Sequence, residues 1–221
     1  MASPCPCRKK ENSQRLLERA AIPRRYQHCD LDNYDVMGDS QRLARQAAQH
    51  FVEAYPAIES GILFMGSCGV GKTHLAVGIL RSLATEKGVA GLFVDFRDLL
   101  RQIQETYNPM NSTSASQVLR PVLKAEVLVL DDLGATKPTE WVRDTVAHII
   151  IQRYNDRRIT IFSTNFGDGV QGTSGSDAAP GEILSDRVGI PLRSRLSEMC
   201  RTIVIQGRDY RREIRQAAYR W

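Results

Sequence analysis

From residue 61 onward, short runs of apolar residues alternate with longer segments in which apolar positions recur every three or four residues. The short runs predict strands over residues 62–65, 91–95, 126–131, 159–164 and 202–205. Because several runs are almost continuously Val, Ile and Leu, the strands should be buried on both faces, as in a parallel sheet covered by helices. The sequence therefore predicts a doubly wound α/β domain.

The segments between these strands predict helices over residues 72–85, 97–107, 116–124, 140–156, 183–196 and 208–219. Two helices precede the first strand, over residues 12–20 and 41–55, and Asp39 or Ser40 should cap the second. We divide the chain into a short helical N-terminal segment, residues 1–38, and a main domain, residues 39–221. Residues 166–182 are rich in Gly, Ser, Asp and Ala, which predicts a flexible loop.

The 221 residues are 42% hydrophobic and 25% charged, ordinary values for a globular protein. No apolar run approaches the roughly 20 residues that cross a bilayer. The basic residues near the start are not followed by the apolar stretch of a secretory signal. We expect a cytoplasmic protein with no membrane segment.

The five cysteines are an odd number, which favours free thiols over a disulfide framework. Cys5 and Cys7 form the only close pair. With His28 and Cys29 some twenty residues further on, they offer four ligands for a small zinc knuckle. Free thiols and a zinc site both remain open interpretations.

Positive charge is concentrated at the two ends of the chain. Residues 1–30 hold seven Lys and Arg against three Asp and Glu, and residues 187–221 hold nine against three. Clustered basic residues release counterions from a phosphate backbone, so this distribution indicates a polyanionic partner such as DNA. A solvated basic surface explains the same counts, and that alternative stays open.

A glycine-rich loop follows the first predicted strand and opens the next helix. It fits the pattern G-x-x-x-x-G-K-[ST] with Gly66, Ser67, Cys68, Gly69, Val70, Gly71, Lys72 and Thr73. In this pattern backbone N–H groups surround the phosphates, Lys72 reaches the β- and γ-phosphates, and the Thr73 hydroxyl binds Mg²⁺. The loop, with the adjacent His74, predicts a site for ATP and Mg²⁺, whereas a plain glycine turn leaves the Lys–Thr pair without a purpose.

Polar residues end the two strands that follow. Asp131 is placed to bind Mg²⁺, and Asp132 can polarise the attacking water as a general base. The alternative is that both carboxylates only cap the next loop. Asn165 should reach the same sheet edge and orient the water or contact the γ-phosphate, although Asn before Phe–Gly also suits a turn.

Six arginines flank the last predicted strand: Arg193, Arg195, Arg201, Arg208, Arg211 and Arg212. An arginine that neutralises charge on the transferring phosphoryl group accelerates hydrolysis by roughly 10³ to 10⁵. Most of the six must be surface charge.

The order of these motifs resembles the AAA+ ATPases of the DnaC, DnaI and IstB group, which are bacterial helicase loaders and transposition helper ATPases. The matching segments are G-S-C-G-V-G-K-T-H-L-A, V-L-V-L-D-D-L-G, S-T-N, S-R-L and R-D-Y-R, within residues 22–210. The resemblance implies that residues 39–221 are an AAA+ P-loop ATPase domain. It also implies that Asn165 is sensor 1, Arg195 is the finger that reaches a neighbouring subunit's ATP, and Arg211 is sensor 2. An ATP-dependent homo-oligomer follows from these roles.

The resemblance further implies contacts with single-stranded DNA. Tyr107, Thr139 and Trp141 fall at positions that match the DNA-binding segments of the family, and aromatic faces stack on unpaired bases. Packing in the core is the open alternative for both aromatic residues.

We therefore expect a Mg²⁺-dependent ATPase that loads or remodels a DnaB-like replicative helicase on single-stranded DNA. An IstB-like transposition helper on duplex DNA is the alternative. A small-molecule kinase would need an arginine-rich lid, which residues 166–182 do not provide, and an ATP-binding module without hydrolysis is a fourth possibility. Only about sixty residues precede the first strand, so we expect the helicase-gripping N-terminal domain of the loaders to be truncated or reduced.

Overall fold

The computed structural model describes residues 6–168 and 183–215. Within them, five strands form one sheet in the order β2-β3-β4-β1-β5, and every pairing is parallel. The strands are β1 Gly61–Gly66, β2 Gly91–Asp95, β3 Val127–Asp131, β4 Ile159–Thr164 and β5 Cys200–Ile205. The predicted parallel α/β fold is confirmed.

Helices surround the sheet. They are α1 Pro6–Arg19, α2 Asp39–Ala54, α3 Lys72–Ser82, α4 Phe96–Glu105, α5 Ala115–Lys124, α6 Glu140–Asn155, α7 Leu184–Val188 and α8 Ile190–Met199. A 3-10 turn covers Arg24–Tyr26, and π-helical turns cover Leu83–Lys87 and Arg211–Arg215. The helix predicted over residues 208–219 is described only as far as this last turn, and the remainder lies outside the described residues.

Each face of the sheet has its own core, because successive side chains of a strand point to opposite faces. In β1, Ile62 and Phe64 pack with α2 and α3, whereas Leu63 and Met65 pack with α4, α6 and α8. Both sets are almost fully buried. This two-sided burial explains why the strands read as continuous apolar runs in the sequence.

Two details of the helix predictions are wrong. The segment predicted as one helix over residues 183–196 is broken between α7 and α8 at Gly189, whose φ of 91° is left-handed, and Pro191 lies in the first turn of α8. Gly38, not Asp39 or Ser40, is the N-cap residue of α2. The Ser40 hydroxyl instead donates to the Gln206 carbonyl at 2.8 Å. Because residue 206 directly follows β5, this bond joins the end of β5 to the start of α2.

The N-terminal segment contributes to the core of the main domain. Cys29, Leu31 and Tyr34 are buried against α3 and its neighbours. The Phe93 N–H of β2 donates to the Ala20 carbonyl at 2.8 Å, which attaches the turn after α1 to an edge strand of the sheet. Packing is therefore continuous across residue 38, and the domain boundary there stays a prediction.

Two predictions fall largely outside the described residues. The zinc knuckle depends on Cys5 and on the Cys7 side chain, and most of the predicted flexible loop is residues 169–182. Within the described residues, 6–168 and 183–215, no helix is both long enough and apolar enough to cross a membrane.

Candidate nucleotide-binding site

The glycine-rich loop joins the end of β1 to the start of α3. Gly69 and Gly71 have φ angles of 79° and 98°, in the left-handed region that favours glycine. Neither position has room for a side chain, because a Cβ on Gly71 would overlap the Tyr34 ring and one on Gly69 would overlap Asp209. Turns of this kind line up backbone N–H groups into a concavity that binds anions, so the loop fits a phosphate group.

Lys72 begins α3 and turns its ammonium group back toward the loop. Its Nζ donates to the carbonyls of Gly66 and Ser67, both at 2.8 Å, and to Asn165 Oδ1 at 2.7 Å. Burial lowers the pKa of Lys72, against the opposing effect of Cys68, Asp132 and Asp131. The ammonium thus has three neutral oxygen partners, which the charged oxygens of a phosphate would outcompete.

Thr73 and Asp131 meet at the end of β3. The Thr73 hydroxyl lies 3.0 Å from both carboxylate oxygens of Asp131, and the Ser163 hydroxyl donates to Oδ1 at 2.5 Å. Asp131 is only 3% exposed, and burial raises its pKa to about 6 despite the two hydroxyl donors. A buried carboxylate beside a hydroxyl oxygen is the donor set of a hard divalent cation.

Two further carboxylates border this position. The carboxylates of Asp95, Asp131 and Asp132 each have an oxygen within 4.8 Å of the others. Among residues 6–168 and 183–215, this is the group of side chains that could hold a metal ion. Asp95 also caps α4 by accepting the Asp98 N–H at 3.0 Å. The side chains at this sheet edge therefore suit a divalent cation, and the roles of Thr73 and Asp131 as Mg²⁺ ligands stay predictions.

Asp132 follows β3 in a left-handed conformation with φ of 58°, which is unusual for a residue other than glycine. Its N–H donates to Ser163 Oγ at 3.0 Å. Its carboxylate accepts from Asn165 Nδ2 at 3.4 Å. Lys72, Asp132 and Asn165 are thus linked through the Asn165 amide, and the predicted roles of Asp132 and Asn165 in hydrolysis stay predictions.

The predicted arginines occupy two different places. Arg211 lies beside the loop: its guanidinium donates to the Tyr26 hydroxyl at 3.4 Å and contributes to lowering the pKa of Lys72. Arg195 lies on α8 and donates to the Pro191 carbonyl of its own helix at 3.3 Å. The structure therefore places Arg211 near the glycine-rich loop, whereas the half-buried Arg195 hydrogen-bonds within α8. The roles of both arginines stay predictions.

His74 and Tyr34 attach the N-terminal segment to the loop. The His74 Nε2 lies 2.8 Å from the Asp30 carbonyl and 2.9 Å from Asn33 Oδ1. The buried Tyr34 hydroxyl donates to the Val70 carbonyl at 2.8 Å. The His74 side chain thus points to the N-terminal segment, and its predicted contact with the nucleotide stays a prediction.

The sequence did not single out Ser163 or Tyr34. Ser163 belongs to the S-T-N segment, where a hydroxyl two positions before Asn165 was the available signal. Tyr34 lies 36 positions before the carbonyl that it contacts, and no local pattern indicates that contact.

The three residues predicted to contact DNA lie near one another. The Trp141 indole N–H donates to the Tyr107 hydroxyl at 3.1 Å, and the two rings meet edge to face at 6.4 Å. Tyr107 is 63% exposed, while Trp141 is half-buried against the core. Thr139 is the N-cap of α6 and accepts the Val142 N–H at 3.3 Å. The pair combines packing with an exposed aromatic face, and DNA stacking stays a prediction.

Comparison with known proteins adds an independent observation. A family model described as IstB-like ATP binding protein matches residues 5–218. The replicative helicase loader DnaC of Escherichia coli K12 is 28% identical over 152 residues, which cover 69% of this chain and 61% of that protein. The replicative helicase loader DnaI of Bacillus subtilis is 28% identical over 169 residues, covering 73% and 53%.

Solved structures show the same fold. A crystal structure of the DnaC helicase loader is 35% identical and has a TM-score of 0.71, covering 83% of this chain and 99% of the crystallised one. The chain spans about three fifths of the length of the curated DnaC relative.

Proposed function

The chain belongs to the IstB-like ATP-binding protein family, and from this membership we propose that it hydrolyses Mg²⁺-bound ATP as a DnaC-type helicase loader. The observation that carries the proposal is the hydrogen-bonded set of Lys72, Thr73, Asp131, Asp132 and Asn165. These residues come from three segments that are far apart in sequence: the start of α3, the end of β3 and the position after β4. They combine a cation, a metal ligand pair and a base at one sheet edge.

Each of these side chains has a separate task in the proposed reaction. Lys72 binds the β- and γ-phosphate oxygens once it leaves its loop carbonyls. Thr73 and Asp131 hold Mg²⁺, which neutralises charge that develops on the phosphates. Asp132 accepts a proton from the attacking water, and Asn165 orients that water relative to Lys72.

The proposed site is completed by a second copy of the chain. Arg195 takes no part in the hydrogen bonds around Lys72 and instead bonds within α8, which supports a role for it at the nucleotide of a neighbour in a homo-oligomer. Arg211, which lies beside the loop, acts on the nucleotide of its own subunit. ATP would therefore favour assembly, and hydrolysis would depend on protein concentration.

Single-stranded DNA and a replicative helicase are the proposed partners. The curated relatives are named replicative helicase loaders, and the aromatic pair Tyr107 and Trp141 offers a stacking surface for unpaired bases. The IstB-like family match favours a second candidate, a transposition helper that assembles on duplex DNA. The cytoplasmic location stays a prediction.

The test measures ATP turnover and DNA affinity together. We expect turnover in the wild type and in Asp156→Asn, an exposed aspartate at the end of α6, and none in Asp132→Asn. Tighter binding of a single strand than of a duplex of equal length at the same salt concentration would support the loader. The reverse preference would support the transposition helper, and turnover that survives in Asp132→Asn would contradict the assigned base.

A further inference from the structure

Ser163 connects the two acidic residues of the site through a single hydroxyl group. The residue is fully buried on β4, two positions before Asn165. Its Oγ donates to Asp131 Oδ1 at 2.5 Å and accepts the Asp132 N–H at 3.0 Å. A serine hydroxyl has one proton to donate, so that proton is committed to the Asp131 carboxylate.

These contacts begin where the strand pairing ends. The ladder between β3 and β4 extends to the pair Leu130 and Phe162. Beyond it, the Leu133 N–H donates to the Ser163 carbonyl at 2.8 Å. Ser163 therefore holds the loop after β3 against β4 through both its backbone and its side chain.

The left-handed turn at Asp132 needs such a restraint. A non-glycine residue in this region is less stable than in the ordinary regions and persists where its surroundings fix it. The hydrogen bond from the Asp132 N–H to Ser163 supplies one fixed contact, and the Asn165 amide contacts the Asp132 carboxylate at 3.4 Å. The direction of the Asp132 side chain thus depends on the Ser163 hydroxyl.

We propose that Ser163 is a positioning residue for ATP hydrolysis, which fixes Asp131 toward Thr73 and Asp132 toward Asn165 with the same hydroxyl group. The inference rests on the proposed hydrolytic function. The proposed role of Ser163 is therefore indirect. It acts by orienting the metal ligand and the base, in the way that outer partners of a metal ligand tune its affinity.

Thr164 provides a matched control on the same strand. It is also fully buried, and its hydroxyl donates to the Leu133 carbonyl at 2.8 Å and accepts the Phe166 N–H at 3.2 Å. Thr164→Val therefore removes a buried hydroxyl that braces the same loop without contacting a carboxylate. A purely structural role for Ser163 predicts equal effects of Ser163→Ala and Thr164→Val.

The experiment measures binding of a fluorescent ATP analogue in EDTA and over a Mg²⁺ titration, together with steady-state hydrolysis. We expect both variants to bind the analogue in EDTA within about twofold of the wild type, since the loop and Lys72 are intact. Ser163→Ala should raise the Mg²⁺ concentration for half-maximal enhancement of binding by about 10- to 100-fold. It should lower kcat by a similar factor with little change in KM, and Thr164→Val should change neither.

Amide hydrogen exchange gives a readout without nucleotide or metal. The Asp132 N–H should exchange faster in Ser163→Ala than in the wild type and in Thr164→Val. Wild-type values for Ser163→Ala, or equal losses in both variants, would overturn the inference. If the wild type binds the analogue in a Mg²⁺-dependent manner but does not hydrolyse ATP, the proposed function fails, and the Mg²⁺ titration and amide exchange still decide the role of Ser163.

Discussion

The edge of the sheet around Lys72 and the outer face around Arg195 differ in how their polar groups are satisfied. At the sheet edge, Lys72 has two carbonyl partners in its own loop and a third partner in the distant Asn165. Asp131 has two hydroxyl partners, both from distant parts of the chain. On α8, the half-buried Arg195 hydrogen-bonds within its own helix. Elsewhere on the chain, Tyr107 is largely exposed. The inner site is thus built by the chain itself, whereas the proposed roles of Arg195 and Tyr107 each require a partner molecule.

The largest expected effect tests the outer face. Arg195→Ala should lower ATP hydrolysis by about 10³-fold or more, because an arginine finger stabilises the charge of the transition state. Nucleotide affinity of the isolated chain should stay unchanged, since the guanidinium lies away from the loop. Rate measurements on Arg201→Ala, which removes an exposed arginine of β5, provide the control.

Mixing two inactive variants tests whether Arg195 acts on the nucleotide of a neighbouring subunit. Arg195→Ala retains an intact loop, and Lys72→Ala retains an intact finger. If the finger acts on a neighbour, the mixture should regain part of the wild-type rate. A mixture with no more activity than its components would contradict a shared site.

The second effect concerns the stability of the inner site. The raised pKa of Asp131, about 6 against an ordinary 3.8, means that the folded protein binds this proton more tightly than the unfolded chain. The contribution of Asp131 to stability is present below about pH 4 and is lost as pH rises through about 6. At pH 7 the buried charge costs about 3 kcal/mol.

Asp131→Asn removes this cost, so in EDTA it should raise the free energy of unfolding by up to about 3 kcal/mol at pH 7 and by little at pH 4. Denaturant unfolding at both pH values measures the difference, with Asp156→Asn as the exposed control. An equal effect at the two pH values would show that ionisation of Asp131 is not its source.

The third effect tests the aromatic pair. Trp141→Ala should weaken binding of single-stranded DNA by about 1 to 3 kcal/mol, the value of one stacked base. Met110→Ala removes a 93% exposed apolar side chain from the neighbouring loop and should leave the affinity unchanged. Fluorescence anisotropy at fixed salt compares the variants, and equal affinities would remove Trp141 from the proposed DNA surface.

The smallest effect tests how the N-terminal segment supports the loop. Tyr34→Phe keeps the ring against Gly71 but deletes the bond to the Val70 carbonyl, so unfolding should become about 1 kcal/mol easier. ATP affinity should fall by about fivefold at most, because RT ln of that ratio is close to 1 kcal/mol. A His50→Gln variant on α2 offers a control away from the loop. An unchanged free energy of unfolding would show that this bond is no stronger than the bonds that the Tyr34 hydroxyl makes to water in the unfolded chain.

The sequence predicted the regular elements well because burial on both faces leaves a continuous apolar signal. Residues 91–95 and 159–164 are strands with the predicted bounds. The helix break at Gly189 was missed because Leu184, Val188, Leu192 and Leu196 keep the four-residue spacing of one helix across it. Apolar periodicity records which face is buried, and it does not record the backbone angle between two helices that share that face.

The phosphate loop was predictable because its residues are consecutive, as are Asp131 and Asp132. The role of Ser163 depends on how β3 and β4 align beyond their last paired residues, which a single sequence does not specify. The contact of Tyr34 with the loop likewise depends on the path of residues 28–35 across α3. These two contacts are tertiary, and they support side chains that local motifs identify.

Steady-state ATP hydrolysis in the presence of Mg²⁺, measured over a range of protein concentrations, decides whether the chain is an ATPase that acts as an assembly. We expect a rate per subunit that rises with concentration in the wild type and is abolished in Lys72→Ala, with folding of the variant verified by thermal unfolding. Absence of turnover in the wild type at every concentration, or turnover that persists in Lys72→Ala, would contradict this expectation.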